Sequence, residues 1–217
     1  MVAVTRALEP DCALAQGVFD ELRTRTSQGT GIVRDSYGPG EETAHEIVRA
    51  MAETLGIEVA RDAAANLYMT LSGRDRTGPA LIIGSHLDSV PQGGNYDGAA
   101  GVVAGLVALA CLHRAGFIPP FDIVVMAIRA EEAAWFDASY IGSSAAFGRL
   151  PAEILDSVRR PDTGRTLAEH DLPFVLGLQF LVDDGVDLLE GRAVIERGIA
   201  NALEIDPTGD RCGAATR

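Results

Sequence analysis

Two continuous apolar runs constrain this chain most: Ala80-Leu81-Ile82-Ile83-Gly84 and the stretch from Asp122 to Ile128. Runs of that length without polar alternation are expected of strands covered on both faces. Between them lie a glycine-rich loop, Gly93-Gly94-Asn95-Tyr96-Asp97-Gly98, and an apolar helical stretch at about 98–114. Strand, loop, helix and strand in that order make a βαβ unit, so the reading is α/β, a mixed and mostly parallel sheet flanked by helices. Gly98, Gly101 and Gly105 recur at helical spacing, which predicts a helix able to lie close against the sheet.

Upstream, residues 11–26 and 41–55 carry helical periodicity, the second after the break Gly38-Pro39-Gly40 and closed by Gly56. Ile57–Ala60 and Asn66–Leu71 read as two short strands joined by a polar turn. Pro161 to Pro173 is polar and irregular, and sets the expected boundary between a first unit, residues 1–172, and a strand-rich tail, residues 173–217.

The 217 residues suffice for one substantial domain or one domain and part of another. The 18 Lys and Arg against 31 Asp and Glu give a formal net charge of −13, a surface that repels phosphate backbones and anionic membranes. Nucleic acid and membrane are therefore not expected partners. Cys12, Cys111 and Cys212 are scattered and odd in number, which argues for a reducing compartment. No signal peptide is read at the N-terminus, and the longest apolar stretch, Val102 to Leu112, is too short to span a bilayer. The expected location is cytoplasmic.

In an open α/β sheet, ligands gather beyond the carboxyl ends of the strands. The first apolar run leads into Ser85-His86-Leu87-Asp88 and the second into Arg129-Ala130-Glu131-Glu132. In extended backbone His86 and Asp88 project to the same side. An imidazole beside a carboxylate suits a metal ligand whose other ring nitrogen is fixed by that acid. Taken alone, a His-x-Asp is more often a satisfied surface or core pair, and a Glu-Glu pair is more often a solvated helix start. The glycines could mark a plain turn. A phosphate cradle fits poorly, because no Lys follows and Asp97 would repel the anion. Two strand ends delivering His86, Asp88, Asp97, Glu131 and Glu132 to one rim tip the balance, since packed carboxylates are costly without a neutralising cation. A donor set without thiolates suits Zn²⁺, Mn²⁺ or Co²⁺. A bridging carboxylate such as Asp97 suits a two-metal centre that activates water and polarises a carbonyl.

The segment Gly84-Ser85-His86-Leu87-Asp88-Ser89-Val90-Pro91-Gln92-Gly93-Gly94-Asn95-Tyr96-Asp97-Gly98 resembles the first metal motif of the hydantoinase/carbamoylase-type amidases, within the aminoacylase-like metallopeptidase superfamily. Ala130-Glu131-Glu132-Ala133-Ala134-Trp135-Phe136 with Tyr140-Ile141-Gly142-Ser143 resembles the second. Asp35-Ser36-Tyr37-Gly38 and Asn66-Leu67-Tyr68 fit the lead-in, and the likeness runs from about Thr30 to about His170. The resemblance implies a di-metal aminopeptidase-like catalytic domain hydrolysing non-peptide C–N bonds in allantoate, N-carbamoyl-L-amino acids or β-ureidopropionate. It implies two divalent ions, zinc or manganese, with cobalt or nickel as alternatives. By motif, His86 would bind one ion, Asp97 would bridge, Glu132 would bind the second, Glu131 would be the general base and Asp88 would orient His86.

The family's third motif, His-Ile-Glu-Gln-Gly, carries a ligand histidine, whereas the corresponding region here, Leu178-Gln179-Phe180-Leu181-Val182-Asp183-Asp184-Gly185, has none. The family's last ligand histidine, beyond an inserted α+β lid and dimerisation domain, also has no counterpart. Residues 173–217 resemble only the start of that domain, so the chain reads as a truncated relative, and the family's homodimer would be incomplete. Ser144 stands where many relatives carry Arg. His45 and His113 read as packing or surface residues, and His170 as an outside candidate for a ligand. Trp135 reads as pocket wall or core. Two further readings stay open: a binding protein of the same fold that only senses a metal or ureido ligand, and a metal-dependent exopeptidase or deacylase.

Overall fold

The structure, a computed structural model, describes residues 11–151 and 153–170. The expected second unit, the Leu178–Gly185 region and Cys212 lie outside the described residues. In chain order the elements are α1 (Cys12–Thr26), β1 (Ser27–Gln28), β2 (Gly31–Ile32), α2 (Pro39–Thr54), β3 (Glu58–Arg61), β4 (Leu67–Leu71), β5 (Leu81–His86), α3 (Ala99–Arg114), β6 (Ile123–Ile128), α4 (Ile141–Ala146) and α5 (Glu153–Ser157).

Local chemistry explains the main boundaries. The Asp11 carboxylate accepts from the Leu14 amide at 2.9 Å and caps α1. Pro39 occupies the first turn of α2, where its missing N–H has no intrahelical partner to lose, and Glu41 and Glu42 stand at the positive end of the helix dipole. Gly56, at φ 75, ends that helix as expected.

The main sheet has the order β3-β4-β6-β5. Strands β5 and β6 are parallel, with His86 opposite Ile128, and α3 is their crossover. The other two pairings, β3 with β4 and β4 with β6, are antiparallel. The sheet is therefore mixed, as expected, but among the described residues it is mostly antiparallel rather than mostly parallel, the parallel part being confined to the βαβ unit. The reason is the short turn after Arg61, which returns β4 directly alongside β3 and leaves no room for a crossover helix.

One face of the sheet carries the principal core. Val18 and Leu22 of α1, Ile47 and Val48 of α2, and Val102, Val103 and Leu106 of α3 pack over Leu67, Met69, Val125 and Ala127. The close approach of α3 requires its glycines: a Cβ on Gly105 would lie 2.8 Å from the Val125 methyls, and one on Gly101 would lie 2.6 Å from the Ser85 Cβ. The opposite face is smaller, built on Tyr68, Val124, Met126 and Ala146.

The strand expectation holds for β6 and needs correcting for β5. Residues Val124 to Ala127 are buried, whereas Leu81 is 49% and Ile83 42% exposed. Strand β5 is the edge of the sheet among the described residues, so its apolar run is covered less than the pattern alone implied. No helix among the described residues is long and apolar enough to cross a membrane.

Candidate metal centre

Because β5 and β6 run parallel, their carboxyl ends emerge side by side, and His86 and the Arg129–Glu132 exit share one rim. The glycine loop folds back over the same edge. His86, Asp97 and Glu132 each offer one ligand atom there, and these atoms lie within 4.8 Å of one another. The imidazole Nε2 stands 3.9 Å from the Glu132 Oε1. The other ring nitrogen, Nδ1, faces Asp88, 3.2 Å from its Oδ1 and 3.1 Å from its carbonyl oxygen. This fixes the tautomer that leaves Nε2 turned toward the two carboxylates.

Asp88 is fully buried. Its Oδ1 also accepts the Glu131 amide at 3.2 Å, and its Oδ2 accepts the Glu132 amide at 3.0 Å and the Ser36 hydroxyl at 2.8 Å. Both oxygens are therefore committed to the protein, and Asp88 joins the two strand ends. Burial opposes its ionisation, but the bonds from His86, Glu132 and Ser36 outweigh it and hold the carboxyl below its ordinary range. The same bond pushes the His86 imidazole up, against burial. Glu132 is pushed up by burial, against the pull of His86, and by the neighbouring carboxylates Asp88, Asp97 and Glu131. Glu131 is not one of the three grouped ligands, and its Oε1 accepts the Ser143 amide at 3.1 Å.

The donor set fits a divalent cation. One imidazole nitrogen and two carboxylates converge within 4.8 Å, a donor set that suits such an ion. The described residues supply one such group of three.

The remaining histidines lie elsewhere. His45 is fully buried in α2, with no hydrogen-bond partner on either ring nitrogen. His113 lines a cavity of about 360 Å³ beside Phe117 and Ile118, away from the trio. The ring of His170 packs edge-on against Phe136 at 5.1 Å and does not join the ligand group. Trp135 is part wall and part anchor: its indole N–H donates to the Ser89 carbonyl at 2.6 Å, and Arg160 stacks over its ring at 4.8 Å.

Sequence reasoning missed a buried polar shell contributed by residues 34–41. Arg34 donates to carbonyls of the β5 exit and the glycine loop. The Glu41 carboxylate accepts the Ala130 amide at 2.9 Å and the Tyr37 amide at 2.6 Å, beside Arg129. Burial pushes the Glu41 carboxyl up to about 8, against the pull of Arg129. Asn66 accepts the Arg129 amide at 2.9 Å and donates to the Gly142 carbonyl at 3.0 Å, tying α4 to the end of β6. Apart from the local Tyr37–Glu41 bond, these contacts join residues 53 to 89 positions apart, and no local pattern announces them.

Residues 66–156 match the model of peptidase family M28. Over 139 residues the chain is 37% identical to an N-carbamoyl-L-amino acid amidohydrolase of Geobacillus stearothermophilus, covering 64% of this chain and 34% of the relative. It is 29% identical over 143 residues to a ureidoglycolate hydrolase of Arabidopsis thaliana, covering 65% of this chain and 30% of the relative. A crystal structure of a hydantoinase/carbamoylase family amidase from Burkholderia ambifaria superposes with a TM-score of 0.68 at 29% identity, covering 75% of this chain and 40% of that one. The chain thus spans about a third of the length of the curated relatives it matches. Over the part that carries His86, Asp97 and Glu132, the chain is similar in sequence and fold to hydantoinase/carbamoylase-type amidases.

Proposed function

We propose that this chain is the metal-binding catalytic part of a hydrolase that cleaves non-peptide C–N bonds in linear amides and ureido compounds, of the N-carbamoyl amino acid or allantoate type. The observation that carries the reading is the convergence of His86, Asp97 and Glu132, with Asp88 fully engaged behind them. His86 and Asp97 would hold one divalent ion, zinc or manganese, and Asp97 and Glu132 would hold a second. Such an ion supplies Lewis acidity to a substrate carbonyl and to water.

The chain's own residues would do the rest. Asp88 keeps Nδ1 of His86 protonated, so Nε2 remains a lone-pair donor. Glu131, tethered by the Ser143 amide, would accept the proton of the attacking water and return it to the departing nitrogen. The M28 match supports a second reading, a metal-dependent exopeptidase. Residues 1–172 would form this catalytic part and residues 173–217 the beginning of another unit. A homodimer would need that other unit.

The test is ammonia release from allantoate and from an N-carbamoyl-L-amino acid, alongside aminopeptidase release from an aminoacyl anilide, with Mn²⁺ or Zn²⁺ added. The reading expects turnover of a ureido compound, lost by about two to four orders of magnitude in Glu131→Gln. Anilide cleavage alone would replace it with the peptidase reading. No turnover of any substrate by protein that retains its metal would leave a binder of the same fold.

A further inference from the structure

Arg34 is a buried cation directly behind the glycine loop. Its side chain is fully buried, yet its guanidinium partners are oxygens of carbonyls and one amide. Nε donates to the Leu87 carbonyl at 2.6 Å, Nη1 to the Asn95 carbonyl at 3.3 Å and to its Oδ1 at 3.5 Å, and Nη2 to the Asp97 carbonyl at 3.2 Å. A buried guanidinium is costly to desolvate, and none of its hydrogen bonds goes to a carboxylate. Its planar fork, however, spans what a shorter or single-headed donor cannot: the backbone just after His86 and the backbone of the glycine loop.

The contrast with Asp97 gives this clasp its meaning. The Asp97 side chain is exposed, and its carboxylate accepts no hydrogen bond among the described residues. Asp88 orients His86 directly, and Asp88 also holds the Glu132 backbone. Asp97 is held only through its main chain, by Nη2 of Arg34 and by the Ala99 amide at the start of α3. The Arg34 backbone is itself pinned to the β5 exit, its N–H donating to the Ser89 hydroxyl at 3.0 Å and its carbonyl accepting the Ser89 amide at 2.8 Å.

We propose that Arg34 is the positioning residue of the centre: its guanidinium clasps the Leu87, Asn95 and Asp97 carbonyls and presents Asp97 to a divalent cation before the cation arrives. This rests on the metal-centre reading of His86, Asp97 and Glu132. Lysine at this position keeps the charge but has one head, and cannot bridge the strand exit and the loop together.

The experiment uses the full chain, wild type and Arg34→Lys, with two kinds of readout. Calorimetric titration with Mn²⁺ and the visible spectrum of the Co²⁺-loaded protein report the centre. Amide hydrogen exchange at Ala99 and Ala100 in metal-free protein reports the loop. The proposal expects Arg34→Lys to fold, to bind Mn²⁺ about 10–100-fold more weakly and to change the Co²⁺ spectrum. It also expects Ala99 and Ala100 to be protected in metal-free wild type. Unchanged affinity and spectrum in folded Arg34→Lys would overturn it. So would free exchange at Ala99 and Ala100 in metal-free wild type, an outcome read even if the variant does not fold. A wild type that takes up neither ion would refute the metal reading. In that case loss of protection at Ala99 and Ala100 in Arg34→Lys still supports the clasp, and equal protection in both proteins overturns it.

Discussion

The imidazole of His86 is seated directly on Gly98: a Cβ built there would stand 2.4 Å from the ring Cε1. Gly98 also has φ 62, a backbone conformation that side chains disfavour. Both demands fall on the residue that links Asp97 to the first turn of α3. Gly98→Ala must therefore push the ring away from Glu132 or unwind the helix start. The expected outcome is a Mn²⁺ affinity lowered about 10–100-fold with the far-UV circular dichroism retained. Calorimetry on the purified variant checks this. Wild-type affinity would mean that the ring position does not matter to the site.

Asp88→Asn tests the joint between the two strand ends. The variant keeps the volume but turns one acceptor into a donor, facing the amides of Glu131 and Glu132 or the ring of His86. Cation affinity should fall by about 10–100-fold. In the wild type Asp88 pushes the His86 pKa above the ordinary imidazole value of 6.5, so a proton competes with the cation from above that pH. Affinity measured from pH 8 downward should begin to decline before pH 6.5 in wild type. In Asp88→Asn the decline should begin at lower pH.

His45 predicts an acid sensitivity of the fold itself. Burial, with Arg129 and Arg61 nearby, depresses its pKa well below 6.5. The unfolded chain then binds a proton near pH 6.5 that the folded chain refuses. Stability is therefore lost as pH falls below about 6.5, by up to about 1.4 kcal/mol per pH unit, until the depressed folded value is reached. His45→Leu removes the group and its unpartnered nitrogens. Denaturant unfolding should show the variant gaining on wild type at pH 5.5 relative to pH 7.5. An unchanged difference between the two pH values would show that His45 does not drive the loss.

The sequence carried the βαβ unit because its evidence is local. Apolar runs, the glycine spacing of α3 and the punctuation at Gly38-Pro39-Gly40 and Gly56 each act within a few residues. The trio was legible for the same reason, since each member sits at a strand end or on the loop that follows. What stayed hidden is long-range and polar. Nothing near Arg34 indicates that it will meet Asp97, or that Glu41 will accept the amide of Ala130. The exposed edge of β5 was hidden too, because an apolar strand looks alike whether one neighbour or two will flank it. The short helices α4 and α5 rest on backbone closures such as the Gly142 amide to the Arg129 carbonyl, which periodicity does not reveal.

The central claim is that His86, Asp97 and Glu132 form a cation site, and direct titration of metal-stripped protein with Mn²⁺ or Zn²⁺ tests it most closely. Wild type should bind at least one ion per chain. His86→Ala, Asp97→Asn and Glu132→Gln should each abolish that uptake or weaken it severely, and Glu131→Gln should retain it. Equal uptake by wild type and all three ligand variants, or loss of uptake only in Glu131→Gln, would contradict the account.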